Sequence, residues 1–196
     1  FIVLSCIDLY RLTNQIICLY SIHSGKNDDV FIYFTDHGAP GLIAFPDDDL
    51  HAKQFMATLK YLHNHKRYSK LVIYIEACES GSMFQGILPS NLNIYATTAA
   101  SPTESSYGTF CDDPKIPSCL ADLYSYDWIV DSQTHQLTRR TLDQQYREVK
   151  RETDLSHVQR YGDKVSTYKI HHIRHSRFGN DRQCCTANLT IEQVLM

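Results

Sequence analysis

Two short runs, Val30-Phe-Ile-Tyr-Phe34 and Leu71-Val-Ile-Tyr-Ile75, constrain this chain more than any other feature, because each is aliphatic or aromatic at every position. A strand with one wet face alternates apolar with polar residues. A run that is apolar throughout has to be covered on both faces, the situation of a parallel strand inside an α/β layer structure. Between the two runs, Phe55, Met56, Leu59 and Leu62 recur at helical spacing and predict a helix over residues 50–64, with Asp47-Asp-Asp49 expected to cap and favour its N-terminus. Strand, helix and strand joined by a crossover of this length imply parallel pairing with a right-handed connection. A loop is expected over 36–46, a shorter crossover over 82–87, a third strand over 93–98 and a late amphipathic helix over 137–152 with Leu142, Tyr146 and Val149 inward. Residues 16–22 read as a weak strand. The pattern predicts a three-layer α/β fold with a mostly parallel central sheet flanked by helices.

Each run also carries chemistry just past its end: the first leads into Thr35-Asp-His37-Gly38 and the second into Glu76-Ala-Cys78-Glu-Ser-Gly81. In an open parallel sheet, ligands bind in the crevice outside the carboxyl ends of the strands, and neighbouring strands lie about 5 Å apart. A histidine and a cysteine delivered there are placed to act as base and nucleophile, the imidazole taking the thiol proton and the thiolate attacking a carbonyl. His37 precedes Cys78 by 41 residues, a separation compatible with the caspase-type order of histidine before cysteine. Ser80 and Gly81 suggest a turn into a helix whose N-terminus would favour the thiolate. Glu76, two residues before Cys78, shares its strand face and can reach the same pocket, where a buried carboxylate needs a donor such as a substrate carboxamide NH₂. The bland alternatives are a structural histidine, an inert buried thiol and a carboxylate that meets a lysine or caps a helix.

Tyr33-Phe-Thr-Asp-His-Gly38 together with Tyr74-Ile-Glu-Ala-Cys-Glu-Ser-Gly-Ser-Met83 closely resembles the legumains, the asparaginyl endopeptidases. The resemblance runs over residues 24–163 and includes Tyr95-Ala-Thr-Thr-Ala-Ala100, Glu104-Ser-Ser-Tyr107 and Asp127-Trp128. The wording of residues 24–29 and 122–130 is most similar to the haemoglobinases of blood flukes. The caspase-type cysteine context differs from Glu-Ala-Cys-Glu-Ser, which favours legumain over caspase. Residues 1–23 and 164–196 look unlike the family, so the expected organisation is a partial legumain-like catalytic domain between a poorly defined leader and a tail of other origin.

The resemblance implies a caspase-like sheet sandwiched by helices and a cysteine endopeptidase that hydrolyses peptide bonds after asparagine. It implies His37 as general base and acid, Cys78 as nucleophile, and the N–H groups of Gly38 and Cys78 as the oxyanion hole. Glu76, Ser105 and Asp122 match positions that line the primary specificity pocket. If those carboxylates act ionised, cleavage after aspartate should appear only on acidification. Peptide or protein substrates, cystatin-type inhibitors and a lysosomal, vacuolar or secreted digestive compartment follow from the same resemblance, as does ligation when an amine intercepts the thioester. The transamidase subunits that attach lipid anchors are a related branch with the same His and Cys logic.

One departure stands out. Legumains carry, in a first strand well upstream of the histidine, an orienting asparagine and a pocket arginine and histidine; none of the 36 residues before His37 matches that strand. The expectation is a sheet incomplete at its N-terminal strand, an uncovered edge and little activity from this chain. The competing reading is therefore a truncated member that binds without cleaving.

At 196 residues the chain fits one domain, and a formal net charge of −3 argues against a nucleic-acid partner. No apolar run reaches the roughly 18 residues of a membrane span, and the leader, broken by Asp8 and Arg11, is a poor signal peptide. Among seven cysteines, Cys111 and Cys119 flank a Pro- and Asp-rich loop. They read either as a short disulfide of an oxidising compartment or as two loop thiols, and the resemblance, through comparable pairs in several legumains, favours the disulfide. His171, His172, His175, Cys184 and Cys185 have no recognised finger spacing, so neither a metal site nor a cofactor is expected. Asn188-Leu-Thr190 forms a glycosylation-type sequon.

Overall fold

A computed structural model describes residues 2–4 and 24–164. Its central sheet has five strands in the order β1 (Ile2–Leu4), β2 (Asp29–Thr35), β6 (Lys70–Glu76), β7 (Ile94–Thr98) and β10 (Gln159–Gly162). The first four run parallel and β10 closes the far edge antiparallel to β7. Along β2 and β6, Val30 faces Leu71 and the ladder continues in register to Thr35 opposite Glu76. Both apolar runs are therefore the paired central strands that their composition requires.

The period-2 geometry of these strands sorts their side chains into two cores. Val30, Ile32 and Phe34 join Leu71, Ile73 and Ile75 on one face, where helix α1 (Ala52–Asn64) lays down Phe55, Met56, Leu59 and Leu62. Phe31, Val72, Tyr74 and Tyr95 face the other way, against Tyr124 of α2 (Leu123–Thr134) and Leu142 and Val149 of α3 (Leu142–Glu152). Among the described residues, one helix on one face and two on the other make the three layers.

Four expectations change in detail. The edge beside β2 is occupied over three residues, since Ile2 pairs with Val30 and Leu4 with Ile32; the weak strand over 16–22 lies outside the described residues. Residues 36–46 are not an open loop, because β3 (Gly38–Ala39), β4 (Leu42–Phe45) and β5 (Asp48–His51) form a small antiparallel sheet. That sheet takes Asp48 and Asp49 into its ladder, so these carboxylates do not cap α1; instead Gln54 Oε1 accepts the His51 N–H at 3.3 Å. The late helix begins at Leu142 rather than 137, at the cap where the Thr141 hydroxyl accepts the Gln144 N–H at 3.2 Å.

Helix α2, for which no periodic signal exists, packs through polar groups. Tyr74 donates to Gln145 Oε1 at 2.6 Å, Gln145 Nε2 donates to Asp131 Oδ2 at 3.0 Å, and Arg140 pairs with Asp131. Buried polar groups must be satisfied in this way, and the buried face of α2, with Ser125 and Asp131 among its residues, defeats a hydrophobic pattern search. The His and Cys residues from 171 onward, Cys184, Cys185 and the sequon lie outside the described residues.

Leu59 is fully buried at the centre of α1 while Lys60 beside it faces solvent. Leu59→Ala should cost about 2–5 kcal/mol of unfolding free energy and Lys60→Ala less than about 0.5 kcal/mol. Denaturant titration of both variants checks the assignment of this face.

Candidate active site

The parallel register brings two loops together. With Thr35 opposite Glu76 and the Asp36 N–H donating to the Glu76 carbonyl at 3.2 Å, β2 and β6 stay side by side to their carboxyl ends. His37 and Cys78 each sit two residues beyond that last pair. The backbones converge further at Gly38, where an added Cβ would lie 2.5 Å from the Cys78 carbonyl oxygen, so a glycine is required by close approach. His37 is exposed and Cys78 half-buried. The Cys78 thiol donates to the Ser106 carbonyl across 3.8 Å, and among the described residues no hydrogen bond joins it to His37.

After Cys78 the chain turns through Glu79, a non-glycine residue at φ 50°, into a four-residue 3₁₀ turn, Ser80–Met83, where a helix had been expected. The turn is pinned to the loop behind it: Glu79 N–H donates to the Glu104 carbonyl at 2.8 Å and Ser80 Oγ accepts the Ala100 N–H at 3.2 Å. Glu104 in turn ties Ser101 and His157 together through its carboxylate. Burial pushes its carboxyl up, yet the hydrogen bonds from His157 and Ser101 outweigh that and hold it down at about 2.

Beside the two loops lies a cleft of about 210 Å³ whose wall includes Tyr33, Thr35, Cys119, Asp122, Ser125 and Ile129. The loop leading to it is closed by a disulfide between Cys111 and Cys119 and by a two-stranded ribbon, β8 (Gly108–Thr109) against β9 (Ala121–Asp122). Asp122, expected in a pocket, lines this cleft and accepts a hydrogen bond from Thr35 Oγ1 at 2.8 Å. Glu76 lies behind the wall, 2% exposed, where Oε2 accepts the N–H and hydroxyl of Ser125 at 2.9 and 3.0 Å. Ser105 is exposed and outside the wall; its neighbour Ser106 approaches Cys78 and Glu76 instead.

Three wall residues, Tyr33, Thr35 and Ser125, were not anticipated. Tyr33 and Thr35 share strand parity, and they face the side of the sheet covered by α2, as Glu76 does opposite Thr35. The position of Ser125 depends on α2 and had no local signal. Tyr33 donates to Ser125 Oγ at 2.8 Å, completing a chain from Tyr33 through Ser125 to Glu76.

Glu76 departs from the ionised role expected of it. Burial first, then the nearby Asp122 charge, push its carboxyl up to about 8 against the hydrogen bonds of Ser125 and the approach of the Ser106 hydroxyl, so it is protonated at acidic and neutral pH. Its Oε1 has no hydrogen-bond partner among the described residues.

A model of the peptidase C13 family matches residues 15–175. The hemoglobinase of Schistosoma mansoni is 84% identical over 142 residues, covering 72% of this chain and 33% of that protein. That of Schistosoma japonicum is 81% identical over 143 residues, 73% of this chain and 34% of that protein. The legumain of Homo sapiens is 52% identical over 150 residues, 76% of this chain and 34% of that protein. The chain thus spans about a third of the length of these curated relatives. Among solved structures, caspase-1 from Spodoptera frugiperda superposes with a TM-score of 0.51 at 11% identity, over 69% of this chain and 61% of that one, a likeness of fold that agrees with the caspase-like layering.

Glu76 makes stability depend on pH with a defined sign. A carboxyl whose pKa rises from 4.5 to about 8 on folding favours the fold fully below pH 4.5, and that contribution is lost as pH rises through 8. Replacing it by Gln keeps an oxygen acceptor for Ser125 and abolishes the titration. Unfolding free energies should therefore fall between pH 5 and 8 by on the order of 2–4 kcal/mol more in the parent than in Glu76→Gln. Asp127, raised to about 6 by burial, contributes in the same direction in both proteins and cancels from the difference.

Proposed function

The chain belongs to the peptidase C13 family, and we propose that the protein carrying it is a cysteine endopeptidase that cleaves after asparagine, with Cys78 as nucleophile and His37 as base. The observation that supports this reading most is the placement of His37 and Cys78 two residues past paired positions of adjacent parallel strands, with the backbone of the following Gly38 packed against that of Cys78. Among the described residues, no other neighbouring strands in the sheet lead into a histidine and a cysteine.

In the proposed mechanism the imidazole of His37 takes the Cys78 proton, and the thiolate attacks the scissile carbonyl carbon. The carbonyl oxygen becomes an oxyanion received by the Gly38 and Cys78 N–H groups. The C–N bond breaks, and imidazolium gives its proton to the leaving amine, which leaves a thioester on Cys78. Water, deprotonated by His37, then attacks the thioester carbonyl, releasing the acid and the thiolate, which regains its proton. An amine in place of water would yield a new peptide bond, so ligation is a side reaction of the same intermediate.

His37 and Cys78 need to approach beyond their present geometry, as is usual before substrate binds. The cleft lined by Asp122, Ser125 and Thr35 is the proposed asparagine pocket. Peptides or proteins are the proposed substrates, and the Cys111–Cys119 disulfide suits an oxidising digestive or vacuolar compartment.

The test uses a full-length protein containing this domain and a peptide library digested across pH. Cys78→Ala should abolish all cleavage, and His37→Ala should lower kcat by at least about a hundredfold. Cleavage after asparagine should dominate near pH 7. Glu76 stays protonated there, so cleavage after aspartate on acidification should follow the substrate's own carboxyl as it becomes neutral. Retained cleavage by the Cys78 variant, or equal cleavage after lysine and arginine, overturns the assignment.

A further inference from the structure

His37 and Cys78 belong to two separate units that one side chain joins. His37 enters the hairpin of β3 and β4, where its carbonyl accepts the Ala44 N–H at 3.0 Å and Gly38 pairs with Ile43. Cys78 leads into the turn Ser80–Met83, in which the Ser82 N–H donates to the Glu79 carbonyl at 2.8 Å. At the tip of the hairpin Gly41, held at φ 80°, donates its N–H to Ser82 Oγ at 2.7 Å, across 41 positions of sequence. The Gly41 carbonyl accepts the Ala52 N–H at 2.8 Å, so both polar groups of this glycine are engaged, one with the start of α1 and one with the Cys78 turn. Ile43 of the hairpin and Met83 of the turn are fully buried in the same core. Apolar burial is non-directional: it draws the hairpin toward the turn and leaves its height to the hydrogen bond.

We infer that Ser82 is a positioning residue for the proposed reaction, its hydroxyl setting the His37 hairpin against the Cys78 turn so that base and nucleophile meet by side-chain rotation alone. The inference rests on the reading of His37 and Cys78 as base and nucleophile and deepens it. The chain just before His37 is fixed by the Asp36 N–H on the Glu76 carbonyl at 3.2 Å, and the chain beyond it by Gly41 on Ser82. With residues 36–41 anchored at both ends to the segment that carries Cys78, His37 keeps its height over the thiol although no hydrogen bond joins the two side chains among the described residues. Without the Ser82 acceptor the hairpin tip is held in place through α1, and the Cys78 turn is free to shift against it. A displacement of about 1 Å between reacting groups costs up to about a hundredfold in rate, so this contact governs the chemical step rather than the binding of substrate.

The experiment compares Ser82→Ala, Ser82→Thr, His37→Ala and the double variant of Ser82→Ala with His37→Ala in the full-length protein, on an asparaginyl peptide at pH 6. Ser82→Ala should lower kcat about ten- to a hundredfold and leave KM within about twofold, because the cleft residues Thr35, Asp122 and Ser125 lie outside both units. Ser82→Thr, which keeps the acceptor, should restore kcat. In the His37→Ala background, where there is no base to place, Ser82→Ala should cost less than about twofold more. Ser82 is half-buried, so its alanine variant should unfold at nearly the same denaturant concentration as the parent, and a variant that does not fold overturns a purely positional role. An unchanged kcat in Ser82→Ala, a loss carried by KM, a threonine variant as slow as the alanine one, or an equal further loss on top of His37→Ala overturns the inference and leaves the proposed function standing. A parent that does not cleave the peptide, although its Cys78 reacts with a thiol reagent, overturns the proposed function and the inference with it.

Discussion

Parallel pairing of β2 with β6, residue by residue from Asp29 opposite Lys70 to Thr35 opposite Glu76, holds together everything that follows from this chain. Because the two strands run the same way, both send their next residues to the same end of the sheet. Because the register has no offset at that end, His37 and Cys78 leave it at the same height. A slip of one residue would reverse the face of every side chain on one strand, moving Ile73 and Ile75 out of the α1 core and Tyr74 and Glu76 into it. The register is therefore locked by hydrophobic burial, and the geometry of the loops is a by-product of that burial.

The same alternation divides labour between the two faces. The α1 side is almost wholly apolar and packs Leu59, Ile73 and Phe34 with no exposure. The α2 and α3 side carries hydroxyls, an amide and carboxylates, including Tyr74, Gln145, Asp131, Ser125 and Glu76. Such groups are stable there only when paired, so they bind the two helices to the sheet in a defined arrangement. The cleft opens on this face. A purely apolar interface would hold α2 in place equally well but would not turn the Ser125 hydroxyl toward Glu76.

The loop that completes the cleft depends on short-range closure. The Cys111–Cys119 disulfide and the ribbon pairing Gly108 with Asp122 shorten a Pro- and Asp-rich excursion so that Asp122 returns to Thr35. On the other side, Glu104 gathers Ser101 and His157 and its carbonyl receives Glu79. These ties give the segment after Cys78 a fixed path although it contains only one turn of 3₁₀ helix.

The sequence by itself determined the layered α/β fold, the central strands, helix α1 and the placement of His37, Gly38 and Cys78 at one end of the sheet. Local information suffices there: an unbroken apolar run needs burial on both faces, and a 3.6-residue period needs one. The pairing of Thr35 with Asp122, the position of Glu76 behind Ser125, the start of α3 at Thr141 and the existence of α2 were decided only by the tertiary structure. The first, second and last depend on polar contacts between residues far apart in the chain, as Glu76 and Ser125 are, which leave no periodic trace, while the start of α3 is set by the short Thr141–Gln144 cap, which the apolar period does not register. The three-residue β1 beside β2 belongs to the same class, since so short a strand is defined by its partner's open edge rather than by its own residues.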